Sequence, residues 1–223
     1  QNNRATLRFS ALEKPRIGSA VTRHYESQSI LIADDSGTYL VTHSADTPFA
    51  LHKNPNSVLE VELQVSLGSK QFAVPQIAFL NSDPRLLYIP LPASYVAASE
   101  MEPFALSLQP ERWEEAVLIK NDASNFGRSG FRRLTSSARF LKIERPVLGA
   151  LFAEFASSRG DLAFTKNNQF IGVLSNSKHA VVIDAFLACA IAELGRNFDP
   201  QANAATIERL RDRVRKLPAA VRQ

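Results

Sequence analysis

The sequence is poor in the residues that staple or metallate a fold. Among 223 residues there is one cysteine, Cys189, with one methionine and one tryptophan. A single cysteine excludes an intrachain disulfide, and its apolar surroundings predict a buried free thiol. The four histidines have no spacing with it that would hold a metal. The nine glycines form no loop able to cradle a phosphate. Neither a metal nor a cofactor is therefore expected. No apolar run approaches the roughly 18 residues of a membrane span. The excess of 26 basic over 22 acidic residues, a net +4, is too mild to demand a nucleic-acid partner. An opening at Gln1 without methionine suits a mature periplasmic or secreted chain, or a trimmed one.

What the sequence does have is strand after strand. Gln1 to Arg16 is polar and reads as a loose lead-in. Ile17 to Ala20 and Ser29 to Ala33 read as strands, and Asp34-Asp35-Ser36-Gly37 turns the chain into another at Tyr39 to Thr42. Val58 to Val65 alternates as a half-buried strand. Phe72 to Phe79 reads as one more, pushed toward an edge by Pro75. Asp83 to Leu91 follows, and the proline- and alanine-rich stretch Pro90 to Pro110 reads as a linker. Beyond it, Glu111 to Lys120 (with Trp113 inward), Leu134 to Ile143 and His179 to Asp184 read as strands, Asn121 to Gly130 as a loop, and Val147 to Phe155 as a lead into the next turn. Asp161 to Thr165, a turn at Lys166 to Gln169, and Phe170 to Leu174 form a hairpin. Ala185 to Arg196 has helical spacing with Gly195 as its cap. Ala202 to Lys216 carries the apolar stripe Ile207, Leu210, Val214 and Leu217.

The hairpin, with Ser157-Ser158-Arg159-Gly160-Asp161 before it, resembles the nucleophile hairpin of the trypsin-like serine proteases, especially the bacterial high-temperature-requirement (Deg) branch. Gly18-Ser19-Ala20, the strand ending Val41-Thr42 and the string Asp83 to Leu91 resemble that family's earlier motifs in the right order. The resemblance runs from about Ile17 to Gly195. It implies an all-β fold of two six-stranded antiparallel barrels, followed here by C-terminal helices. The expected divisions are a lead-in at 1–16, a first barrel at 17–98, a second barrel with a closing helix at 99–198, and an amphipathic helix at 199–223.

The same resemblance implies a degenerate triad. The nucleophile position falls on Arg159, whose guanidinium has no lone pair to offer. The histidine position falls on Ala45, with His43 two residues early. The aspartate position is read as Arg85, with Asp83 two residues upstream. Acyl transfer needs hydroxyl, imidazole and carboxylate in register, so the expectation is a non-catalytic pseudoprotease that binds a peptide or protein in the inter-barrel cleft. The rival is an active peptidase using displaced groups, His43, Asp83 and Ser158. Asp161 would put a carboxylate near an oxyanion, opposing the transition state. Arg85 and Arg159 would pair with Asp83 or Asp161. The tripeptide Arg159-Gly160-Asp161 is read as chance. The run Phe126 to Arg133, continuing through Arg139-Phe140-Leu141-Lys142, leaves a nucleic-acid-binding module as a further alternative.

Overall fold

Alternation builds the first barrel. The computed structural model describes residues 4–52, 57–107, 115–144 and 155–222. Its first strand, β1 (Arg4–Lys14), buries Ala5, Leu7, Phe9 and Ala11 and turns the residues between them outward. The expected loose lead-in is thus a strand, held by β2 (Val21–Asp34) on one side and β4 (Ser57–Leu67) on the other. Two alanines dilute the apolar signal, yet both sit at inward positions of a period-two pattern. Ile17 to Ala20, expected as a strand, is the turn between β1 and β2, with Ile17 exposed.

The ring continues through β3 (Gly37–His43), β7 (Leu86–Leu91) and β6 (Gln76–Leu80), each antiparallel to its neighbour. β5 (Lys70–Ala73) pairs with β4. β5 and β6 are the arms of one strand bent at Val74-Pro75, where Val74 N–H still donates to the Leu63 carbonyl at 2.9 Å. Proline has no N–H for a ladder, so the bend falls there. Taken as one strand, β5/β6 joins the two ends of the sheet.

A short helix, α1 (Ala93–Ser99), and β8 (Phe104–Ala105) bridge the expected linker. The second ring is a closed barrel of β9 (Glu115–Ile119), β10 (Phe126–Leu134), β11 (Ser137–Glu144), β12 (Leu162–Phe164), β13 (Phe170–Asn176) and β14 (His179–Val182). β10 takes the second half of the expected 121–130 loop. Trp113 and most of the Val147 to Phe155 stretch lie outside the described residues. In both rings, counting strands in chain order, the first pairs the second, the second the third, the third the sixth, the sixth the fifth, the fifth the fourth, and the fourth the first. One connectivity used twice is the two-barrel architecture expected from the sequence.

Three apolar clusters fit this plan. One fills the first ring around Phe9, Phe49 and Phe79. One fills the second around Leu118, Phe131 and Ile171. Between them, Ile32, Tyr39, Tyr88, Phe140, Phe164 and Phe170 cement ring to ring. Gly172 on β13 is required by proximity: a Cβ there would stand 1.7 Å from the Val181 carbonyl oxygen.

The expected closing helix at 185–196 is instead a strand, β15 (Ala188–Glu193), which pairs with β6 of the first ring. Its apolar residues satisfy helical spacing, but an available sheet edge outweighs local propensity. Cys189 on it is half-buried, not fully buried; burial pushes its thiol pKa up. Helix α2 (Pro200–Arg215) follows, capped by the Asp199 carboxylate, which accepts from Gln201 and Ala202 N–H at 2.8 and 3.1 Å. Its Ile207 and Leu210 are buried and Val214 packs beside them in the first-ring cluster, while Leu217 packs on the inter-ring cluster. The stripe therefore docks on its own chain. Leu210→Ala should lower stability by about 2 kcal/mol in denaturant titration and leave the mass in solution unchanged. A change of mass instead would mean that the stripe serves another chain. A final turn, α3 (Ala219–Arg222), ends the described chain.

Candidate functional site

The strand ends at the junction of the rings bring the sequence-predicted residues together. β3 ends at His43, and a tight 3-10 turn, Ser44–Asp46, follows it. Ala45 lies in this turn and is buried. Ser44 N–H donates to the Arg85 carbonyl at 2.7 Å, tying the turn to the segment before β7. His43, Arg85 and Arg159 line one pocket of about 170 Å³ together with His52, Ser175 and Arg222.

Asp83 is wholly buried, and its carboxylate is gripped by Arg85. Arg85 Nε donates at 3.0 and 3.1 Å, Nη2 at 2.6 Å, and the Arg85 backbone N–H at 3.0 Å. The remaining nitrogen, Nη1, donates to the Val221 carbonyl of α3 at 2.7 Å. Leu86 and Leu87 open β7 just beyond this pair. Asp83 and Arg85, the two residues weighed for the aspartate position, are thus each other's partners.

His43 is buried. Its Nδ1 accepts from Ala45 N–H at 3.1 Å, and its Nε2 has no partner among the described residues. Burial first, then the charges of Arg159, Arg85 and His52, push its pKa down to about 3. It makes no hydrogen bond to Asp83 or Ser158. The displaced set His43, Asp83 and Ser158 is thus not coupled in this structure. Ser158 Oγ meets a different pair: Lys120 Nζ at 2.9 Å and the Asp161 carboxylate at 3.1 Å.

Asp161 is buried and does not line the junction pocket. Besides Ser158 Oγ, it accepts from Ser158 N–H at 2.7 Å, Asn121 N–H at 3.2 Å and Lys120 Nζ at 3.2 Å. Gly160, at φ +87°, makes the turn possible, and its N–H donates to the Leu174 carbonyl at 2.8 Å. Of the pairings expected for the two arginines, Arg85–Asp83 forms; Asp161 takes Lys120, and Arg159 has no acidic partner among the described residues. Lys120 spends its donors on Asp161, Ser158 and the Ala156 carbonyl, and lies 5.2 Å from the centre of the Phe155 ring.

Sequence reading missed His52, Lys120 and Arg222. Lys120 follows β9 and acts across 41 residues on Asp161. Arg222 lies in the last turn and reaches the cleft only because α3 packs against β13, where Asn176 Nδ2 donates to the Ala220 carbonyl at 3.2 Å. No three or more metal-binding side chains cluster among the described residues. None of the described helices is long and apolar enough to cross a membrane.

No protein-family model matches the chain, and no curated protein matches it. Among solved structures it is similar to a catalytically inactive tobacco etch virus protease complexed with substrate (14% identity over 82% of this chain and 78% of that one, TM-score 0.39). It is similar also to Deg5 (13%, 80% and 83%, TM-score 0.43). A third is the serine protease domain of the Sesbania mosaic virus polyprotein (9%, 74% and 78%, TM-score 0.39). The two-barrel assignment rests on the repeated strand order and the three core clusters, not on these likenesses.

Proposed function

We propose that this chain is a non-catalytic domain of trypsin-like fold, a pseudoprotease that uses the junction of its barrels to bind a peptide or protein. One observation carries the reading: the buried aspartate meets a guanidinium where hydrolysis would need an imidazole. Ala45 removes the base, and Asp83 is held by Arg85. Arg159 stands at the nucleophile position. A carboxylate already bound to an arginine cannot orient a histidine or stabilise an imidazolium. Loss of turnover leaves a shaped junction between two rigid barrels, and such junctions are where ligand sites gather.

The purified chain should therefore leave casein and a fluorogenic peptide panel uncut, and no serine should react with a fluorophosphonate probe. The informative control is Ser158→Ala, since Ser158 is the exposed hydroxyl beside Lys120. Labelling that disappears in that variant would establish the active-peptidase alternative and overturn this reading.

A second reading has its own observation. On the second barrel, Arg132, Arg133, Lys142 and Lys178 line a concavity of about 650 Å³. Arg132 pairs with Glu144 at 3.2 Å, whereas the other three have no acidic partner among the described residues. Single-stranded DNA or RNA binding that weakens steeply with salt would favour this nucleic-acid face over the cleft.

A further inference from the structure

The pocket at the barrel junction is electropositive and holds an unused donor. Arg159 and Arg222 line it, and none of the described residues lining it is acidic. Among the described residues, Arg222 makes one hydrogen bond, from Nη1 to the Arg215 carbonyl at 3.0 Å, and no ion pair. The third arginine, Arg85, is neutralised from behind by Asp83. Among the described residues, no acidic side chain compensates the positive charge that Arg159 and Arg222 bring to the pocket.

His43 adds direction to that charge. Because Nδ1 accepts the Ala45 N–H, the neutral ring must carry its hydrogen on Nε2. Nε2–H is thus a buried donor with no acceptor among the described residues. Buried donors left unmade are costly, and each asks for an explanation. The missing partner is an acceptor, and the flanking guanidiniums make a negative one the best match. A volume of about 170 Å³ suits a carboxylate or phosphate group with some water, but not an extended chain.

We infer that this pocket is an oxyanion-binding site, in which Arg159 and Arg222 supply charge and His43 Nε2–H supplies the buried donor. The inference rests on the non-catalytic reading and gives it a ligand chemistry: a carboxylate or phosphate group. Such a group could come from an acidic or free C-terminal peptide end, or from a small free anion.

The test uses the full chain titrated with sodium phosphate against sodium chloride at matched ionic strength, following the ring nitrogens of His43 by NMR. Phosphate should saturate and shift the His43 Nε2 resonance. Arg159→Met, an exposed position that should fold normally, should weaken this by about tenfold or more. Arg222→Met should act in the same direction, and Arg133→Met, on the other basic face, should change nothing. A His43 resonance indifferent to phosphate overturns the inference, and so does equal binding by wild type and Arg159→Met. A second arm adds a short peptide ending in a free glutamate, beside its amidated glutamine counterpart. Displacement of phosphate by the acid alone identifies a peptide carboxylate as the occupant; phosphate that neither peptide displaces identifies a small anion. Mass spectrometry of the recovered peptides separates the two levels. Cleavage would sink the non-catalytic reading, whereas intact peptides with a silent His43 would sink only the oxyanion site.

Discussion

Arg85→Met should destabilise the fold by about 3–5 kcal/mol, the usual cost of stripping one partner from a buried ion pair. In a chain of this size that corresponds to a fall of roughly 10 °C in melting temperature. Asp83 has no exposed surface, and three of the four hydrogen bonds recorded to its carboxylate come from the Arg85 guanidinium. Removing the guanidinium would strand a carboxylate inside the protein and leave the Val221 carbonyl without its donor. Asp83→Leu combined with Arg85→Met should recover much of the loss, because replacing both charges removes the desolvation cost as well as the attraction. Both variants are read by denaturant titration. A loss below about 1 kcal/mol in the single variant would place the pair among weak, solvent-screened bridges and undo the account of the centre given above.

The second large effect is a loss of stability in acid. The His43 pKa, ordinarily 6.5, is lowered in the folded chain to about 3. Between those values the unfolded chain binds a proton that the folded chain refuses. Stability from this group is therefore complete above about pH 6.5 and is lost as pH falls toward 3. By pH 4 the loss should reach about 3 kcal/mol, at 1.36 kcal/mol per unit. Arg159, Arg85 and His52 act in the same direction as burial on this ring. His179, also lowered by burial and then by Lys142 and Lys178, adds to the trend. Urea midpoints measured from pH 7 to pH 4 in wild type and His43→Asn separate the contributions, since the variant should show a clearly shallower acid limb. Parallel curves would mean that His43 is free to protonate in the folded state.

The hairpin was legible because its pattern is local: Phe164, the polar turn, and the strand Ile171-Gly172-Val173, where glycine is forced by a neighbouring carbonyl. β4 was legible for the same reason, an apolar–polar alternation from Glu60 to Val65, broken only by the extra residue Leu59 where its pairing with β1 slips. The misread elements were those decided at long range. β1 looks polar until two neighbours bury one face of it, and β15 looks helical until β6 offers it an edge. At the centre, the sequence drew attention to His43, Arg85 and Arg159, and the three line one pocket. The Arg85–Asp83 pair was one of the pairings expected from the sequence, whereas Lys120 as the partner of Asp161 was not. The contact between Arg85 and Val221, separated by 136 residues, leaves no trace in either local string.

The route of the chain bears on how far the two barrels can move. After completing the second barrel, the chain returns to the first, adding β15 to β6 and setting α2 against β4. It then crosses again, and α3 packs on β13 while handing a carbonyl to Arg85. The halves are cross-stitched rather than hinged by one linker. A clam-like opening would have to unzip β15 from β6 or lift out the last turn. A peptide bound at the junction, as proposed, would meet two barrels joined by strand pairing and by the last turn, not by a single linker.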